Sequence, residues 1–186
     1  MSLRFYLKSL TLASIALTQA VMAGDTAFKN GNQLTKPDKY REWMFLGASI
    51  TPNDLNDGKA GFPGFHNVYI KPAAWKHWKT NGEFADGTVI VKEIVSVGDR
   101  ESTTGKGYFQ GDFGGLGVAV KDKKRFPNEP GNWAYFTFDL ASAPGSVAQA
   151  KPTAMCAACH QTHAATDLVF TQYYPVLRQS APQPEK

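Results

Sequence analysis

The sequence predicts a single α+β domain built on an antiparallel β-sheet, with a few helices and a helical segment near the C-terminal end. Three features carry this prediction. Runs rich in β-branched residues recur through the middle of the chain, Gly/Pro/Asn turns separate them, and helical periodicity is confined to one short stretch and to the end. Connections this short favour antiparallel pairing, since a parallel pair needs a crossover of about a dozen residues or more.

Taken in order, Arg4 and Lys8 precede an apolar run from Leu10 to Val21 that closes on Val21-Met22-Ala23. This is the pattern of a cleaved secretory signal over residues 1–23. The run is short for a bilayer span and polar sequence follows at once, so a retained membrane anchor is the weaker reading. Residues 24–39 are polar and read as an arm without a core of its own. Tyr40 to Leu46 begins ordered structure, one helical turn running into a strand. Thr51 to Gly58 is dense in turn formers and reads as a loop. A strand is expected from Phe65 to Lys71. Pro72 then suits the first turn of a helix bearing Trp75 and Trp78, and Gly82 is its stop. The clearest strand runs from Gly87 to Val97. Two more are expected over Gly107 to Lys121 and Asn132 to Asp139, joined by the turn Pro127-Asn128-Glu129-Pro130-Gly131. Ala141 to Pro152 reads as a linker, Thr153 to Leu177 as helix broken near Pro175, and residues 179–186 as a frayed tail.

Without residues 1–23 the 186-residue chain retains 163, enough for one domain over 24–178 and too few for two. The 20 Lys and Arg against 16 Asp and Glu become 18 against 16, nearly neutral. No basic cluster interleaves with aromatics, which argues against nucleic acid as a partner. After signal cleavage export is expected, with no membrane attachment. An exported protein with two cysteines has room for one disulfide, so the spacing of the pair decides its class.

That spacing is Cys156-Ala157-Ala158-Cys159-His160, a C-x-x-C-H run. One helical turn puts both thiols beside the two vinyl groups of a haem, while the next imidazole reaches the iron. The expectation is one covalent haem c, with Cys156 and Cys159 as thioether donors and His160 as proximal ligand. A disulfide, a zinc half-site and a thioredoxin-like redox pair are the competing readings. Zinc lacks two further ligands at finger spacing, although His163 leaves an opening, and the redox pair lacks a βαβ context.

The sixth iron position separates an electron carrier from a ligand binder or catalyst. No Met follows His160. Met155 adjoins Cys156 on the proximal side, and Met44 sits in an apolar run that reads as core. His77 lies on a short helix among lysines and His163 is three residues past the proximal ligand, so both read as surface or packing residues. His66, at the start of a strand, is the one histidine with a claim on the distal pocket. Five-coordinate iron open to exogenous ligands is the expectation.

From about Leu34 to Arg178 the chain resembles the cytochrome P-460 family. The resemblance is carried by Arg41-Glu42-Trp43, the loop 51–59, His77-Trp78-Lys79, Gly82 to Thr88, Lys92-Glu93, Gly107-Tyr108-Phe109, Arg125-Phe126-Pro127, Gly131-Asn132-Trp133, the C-x-x-C-H run and Phe170-Thr171-Gln172. It implies a small periplasmic c-type cytochrome, largely β-sheet and commonly homodimeric. It also implies a covalent bond between a strand lysine and the porphyrin rim, and the matching position is Lys92. From the residues alone a strand lysine that snorkels to water is the plainer reading. Alternation nevertheless sets Lys92 beside Thr88, Ile90, Ile94 and Ser96, an apolar setting in which an amine more readily loses its proton.

Cross-linked members oxidise hydroxylamine and pass electrons to an external acceptor, such as a small cytochrome. The related cytochrome c-prime-beta group keeps the fold without the cross-link and binds nitric oxide and carbon monoxide. The resemblance places a carboxylate on the distal side of competent members, just after a Gly-Leu pair. Here that position is Gly117, after Gly115-Leu116. Asp112 is the nearest acid, and strict alternation turns it to the opposite face unless a bulge at Gly114-Gly115 brings it round. Phe62, Phe65, Tyr108, Phe109 and Phe113 are candidates for an apolar distal wall, with core packing the plainer role for most and Phe62 the first choice.

Overall fold

A computed structural model describes residues 28–140 and 145–180, so the stretch read as a secretory signal, residues 141–144 of the expected linker and the chain beyond Ser180 lie outside the described residues. In chain order the elements are β1 (Phe28–Lys29), β2 (Gln33–Thr35), a 3-10 turn (Tyr40–Glu42), β3 (Met44–Thr51), a second such turn (Asn53–Leu55), β4 (Gly64–Ile70), α1 (Pro72–Asn81), β5 (Val89–Val97), β6 (Glu101–Ser102) and β7 (Gly105–Lys106). Then come β8 (Gln110–Lys121), β9 (Trp133–Phe138), β10 (Val147–Ala148), α2 (Ala157–His163) and α3 (Pro175–Ser180). The fold is α+β, as the strand and helix signals predict. Five strands form an antiparallel sheet in the order β3-β4-β5-β8-β9, and β1-β2-β10 form a small second sheet.

Both faces of the large sheet are covered. Val89, Val91, Leu116, Val118, Val120, Phe136 and Phe138 pack on one side with Leu34, Tyr40 and Phe126. On the other, Leu46, Val68, Ile70, Ile90, Trp133 and Tyr135 pack with Trp78 of α1, Ala157 of α2 and Leu177 of α3. Helix α1 starts at Pro72, whose fixed φ suits the first turn, and stops at Gly82, which takes φ 70° and donates its N–H to the Trp78 carbonyl. The Trp78 indole N–H donates to the Leu177 carbonyl at 3.2 Å and ties α1 to α3.

Three expectations change. The stretch read as an arm places Leu34 in the core, fully buried, because β2 pairs with both β1 and β10. The linker likewise contributes β10. The final helical stretch is interrupted between α2 and α3 by an extended loop with a Thr166↔Val169 bridge, well before Pro175.

Glu93 is the one acidic residue buried within the large sheet's core strands, 2% exposed. It sits on the face away from Lys92. Its carboxylate accepts from the Tyr40 hydroxyl at 2.7 Å, from Asn67 Nδ2 at 3.2 Å and from the Arg41 guanidinium. Burial pushes the carboxyl up, but the hydrogen bonds from Tyr40, Arg41 and Asn67 outweigh it and hold the group below the ordinary glutamate value. The stabilisation is therefore complete above the ordinary glutamate range and is lost as pH falls through and below it. Glu93→Gln should cost about 2 kcal/mol at neutral pH and flatten the loss of stability between about pH 6 and pH 3, measured by urea denaturation.

Candidate functional site

One face of β8 is nearly bare of side chains. Gly115, Gly117 and Ala119 alternate with Leu116, Val118 and Val120, so the strand fills the core on one side and carries small residues on the other, leaving a shallow trough at Gly117, while the space a side chain at Gly115 would need is taken by Phe138 and Leu140. Register sets which neighbouring residues share that face. Val68, Lys92, Gly117 and Thr137 form one row across β4, β5, β8 and β9. Ile70, Ile90, Ala119 and Tyr135 form the next, and His66, Ile94 and Gly115 flank the first row on its other side.

Lys92 is the cation of this trough. A Cβ built on Gly117 would lie 3.4 Å from Lys92 Cε, so position 117 points directly at the lysine stem. Burial pushes the ammonium below the ordinary lysine value, and Cys156 and Cys159 pull the other way less strongly. Burial raises the Cys156 thiol, and Lys92 offsets part of the rise.

Helix α2 supplies the other groups. Its buried Ala157 seats it on the sheet, which leaves Cys156 half-buried at its N-cap and Cys159 exposed. The His160 ring lies between Tyr135, at 4.6 Å between centroids, and Phe170, at 4.7 Å. His160 Nδ1 is 2.8 Å from the Leu168 carbonyl. A carbonyl only accepts, so Nδ1 carries the proton and Nε2 keeps a free lone pair. Burial lowers the histidine pKa and outweighs that hydrogen bond, which favours the neutral ring a metal requires.

The carbonyl is presented by a strained loop. Asp167 and Leu168 both occupy the left-handed region, at φ 44° and 59°. Such a conformation costs roughly 1–2 kcal/mol for a residue with a Cβ, although Asp is among those that tolerate it best. Two bonds from Asp167 hold the loop: its carboxylate meets Lys121 Nζ at 2.5 Å and accepts from the Trp133 indole at 3.3 Å.

Phe62 ends the loop between β3 and β4. Lys92 Nζ lies 4.3 Å from its ring centroid. The residue is 48% exposed and has φ 56°. The remaining candidates lie elsewhere. Tyr108 donates to Asp54 and stacks on Arg100, and Phe113 pairs with Val95 on the opposite face. His77 faces Glu83 at 3.5 Å on α1, and the His163 carbonyl accepts from Gln172. Met44 is exposed at the start of the edge strand β3 rather than packed in the core. The bulge at Gly114 is present, yet Asp112 stays exposed at the far end of β8, where its N–H donates to Ser96 Oγ.

The family model Cytochrome P460 matches residues 37–171. The chain belongs to the cytochrome P460 family. A search of curated proteins found no match. A P460 protein carries haem, and the residues present fit that group. The trough that Gly117 leaves open beside Lys92 suits a flat ligand. His160 offers a free nitrogen, and Tyr135 Oη and Thr137 Oγ1, buried on the trough face of β9, have no hydrogen-bond partner. A carboxylate-bearing cofactor would satisfy such hydroxyls. Among the described residues no group of three or more His, Cys, Asp or Glu side chains converges as a metal site, so the zinc reading finds no further ligands there.

Tyr135, Thr137 and the Asp167-Leu168 turn were missing from the sequence-based candidates. The small-large alternation of β8 is the signal in the sequence that could have pointed to the trough. Asp167→Ala should lower stability by about 2 kcal/mol in urea denaturation, because it strips partners from the half-buried Lys121 and the buried Trp133. Asp167→Asn should retain more than half of that.

Proposed function

We propose that this cytochrome is a mono-haem c-type protein in which Cys156 and Cys159 form the thioethers, His160 is the proximal ligand and Lys92 is bonded to the porphyrin rim. It oxidises hydroxylamine, or a related small nitrogen compound, and passes the electrons to an external acceptor such as a small cytochrome. The reading includes export to the periplasm and a homodimer. The observation that carries it is Lys92: an amine whose burial favours the neutral, nucleophilic form, within electrostatic reach of two cysteines.

When bound, haem supplies a redox-active iron that takes up a small nitrogen ligand. The chain's residues do the rest. The Leu168 carbonyl orients His160, Tyr135 and Phe170 clamp its ring, and the open row at Gly117 leaves room beside Lys92. Phe62 shields the amine from water on the loop side.

Gly117 favours a second reading, a nitric oxide or carbon monoxide binder of the c-prime-beta type. Removing a proton from bound substrate calls for a base, and the position facing Lys92 has no side chain. The two readings separate in a tryptic digest of the purified holoprotein. Under the first, the peptide containing Lys92 travels with the haem peptide of Cys156 and Cys159; separate elution leaves the gas binder. If the peptides travel together, Gly117→Glu should raise hydroxylamine turnover by about tenfold or more, since a positioned base contributes roughly 10²–10⁴-fold. An unchanged rate would remove the argument from a missing base.

A further inference from the structure

The carbonyl of Phe62 is held by two side chains from the strands that its loop connects. His66 Nε2, on β4, lies 2.6 Å from it, and Thr51 Oγ1, on β3, donates to it at 3.3 Å. Because the carbonyl accepts only, His66 must carry its proton on Nε2 in the neutral ring. The next fixed point is Gly64, where φ is 122° and a Cβ would overlap the Val95 carbonyl oxygen of β5. Phe62 is thus pinned in the left-handed region between a hydrogen-bonded carbonyl and a backbone seated on the sheet. An exposed phenylalanine has little reason to adopt that conformation unless its surroundings impose it.

The consequence is a direction for the ring. With the carbonyl turned down onto His66, the side chain folds back over the trough, 4.3 Å from Lys92 Nζ. The rest of the loop is held elsewhere: Asn56 Nδ2 donates to the Pro52 carbonyl at 2.6 Å, the Ala60 N–H to Asn53 Oδ1 at 3.2 Å, and Asp54 accepts from Arg100 and, at 3.1 Å, from Tyr108. The polar ties at residue 62 itself are therefore those from His66 and Thr51, and His66 makes the shorter.

We propose that His66 is a positioning residue: its hydrogen bond to the Phe62 carbonyl holds the phenyl ring as a cap over the Lys92 side of the haem pocket and sets how fast small ligands enter. This assigns His66 to the loop rather than to the iron. Burial lowers its pKa despite the bond to Phe62, consistent with a neutral ring acting as donor. The proposal rests on the reading that haem occupies the trough.

The test uses the ferrous holoprotein with carbon monoxide as probe. Association is followed after flash photolysis, and amide hydrogen exchange is followed over residues 52–64. His66→Leu should speed loop exchange and carbon monoxide entry by about fivefold each, the factor expected from one lost hydrogen bond. His66→Gln, whose amide can donate from nearly the same place, should stay within about twofold of the parent on both. Phe62→Ala should speed entry at least as much, and adding His66→Leu to it should change entry no further. Overturning results differ by cause. If Phe62→Ala speeds entry but His66→Leu leaves entry and exchange unchanged, His66 does not position the cap. If His66→Leu loosens the loop while neither variant alters entry, the haem does not lie beneath Phe62 and the site reading falls with the proposal.

Discussion

A strand in the middle of a sheet shows alternate residues to two different worlds, and in this protein those worlds make opposite demands. The side facing the small β1-β2-β10 sheet needs volume, which Val89, Val91, Leu116, Val118 and Val120 supply. The other side needs room for haem, which Gly117 leaves. A one-residue slip between β5 and β8 would turn the large residues into the trough and the small ones into the core. The antiparallel register, pinned by the Gly114 bulge, is therefore the constraint from which the site follows.

Adjacent residues of β5 show how this partition creates chemistry. Glu93 and Lys92 are neighbours in sequence and sit on opposite faces. Glu93 finds Tyr40, Arg41 and Asn67, so its charge is fully satisfied and serves stability. Lys92 is half-buried, its ammonium 4.3 Å from the Phe62 ring centroid, and burial pushes its pKa down. One charge is stabilised and the other is disfavoured by burial, and the sheet itself keeps them apart.

Much of this was legible in the sequence, for reasons tied to particular residues. The β-branched run around Val91 marked the central strand, Pro72 and Gly82 bounded α1, and Cys156, Cys159 and His160 stood at a spacing that one short helix brings to a single side. What escaped depended on contacts distant in the chain. Leu34 becomes core only because β10 arrives beside it from more than a hundred residues away. The turn at Asp167 and Leu168 carries no glycine to announce it, and contacts from Lys121, Trp133 and His160, distant from it in the chain or fixed only by the fold, hold it. The role of His66 is likewise invisible until the loop folds back to place the Phe62 carbonyl against it.

The partner of His160 is a peptide oxygen, not a side chain. The electron-donating character of the imidazole is thereby written into the path of the backbone between positions 160 and 168. Exchanging the leucine at 168 for another apolar residue leaves that acceptor in place, whereas inserting or deleting a single residue in this stretch would take it away. The electronic tuning of the His160 ring is thus insulated from most point changes and exposed to changes in chain length.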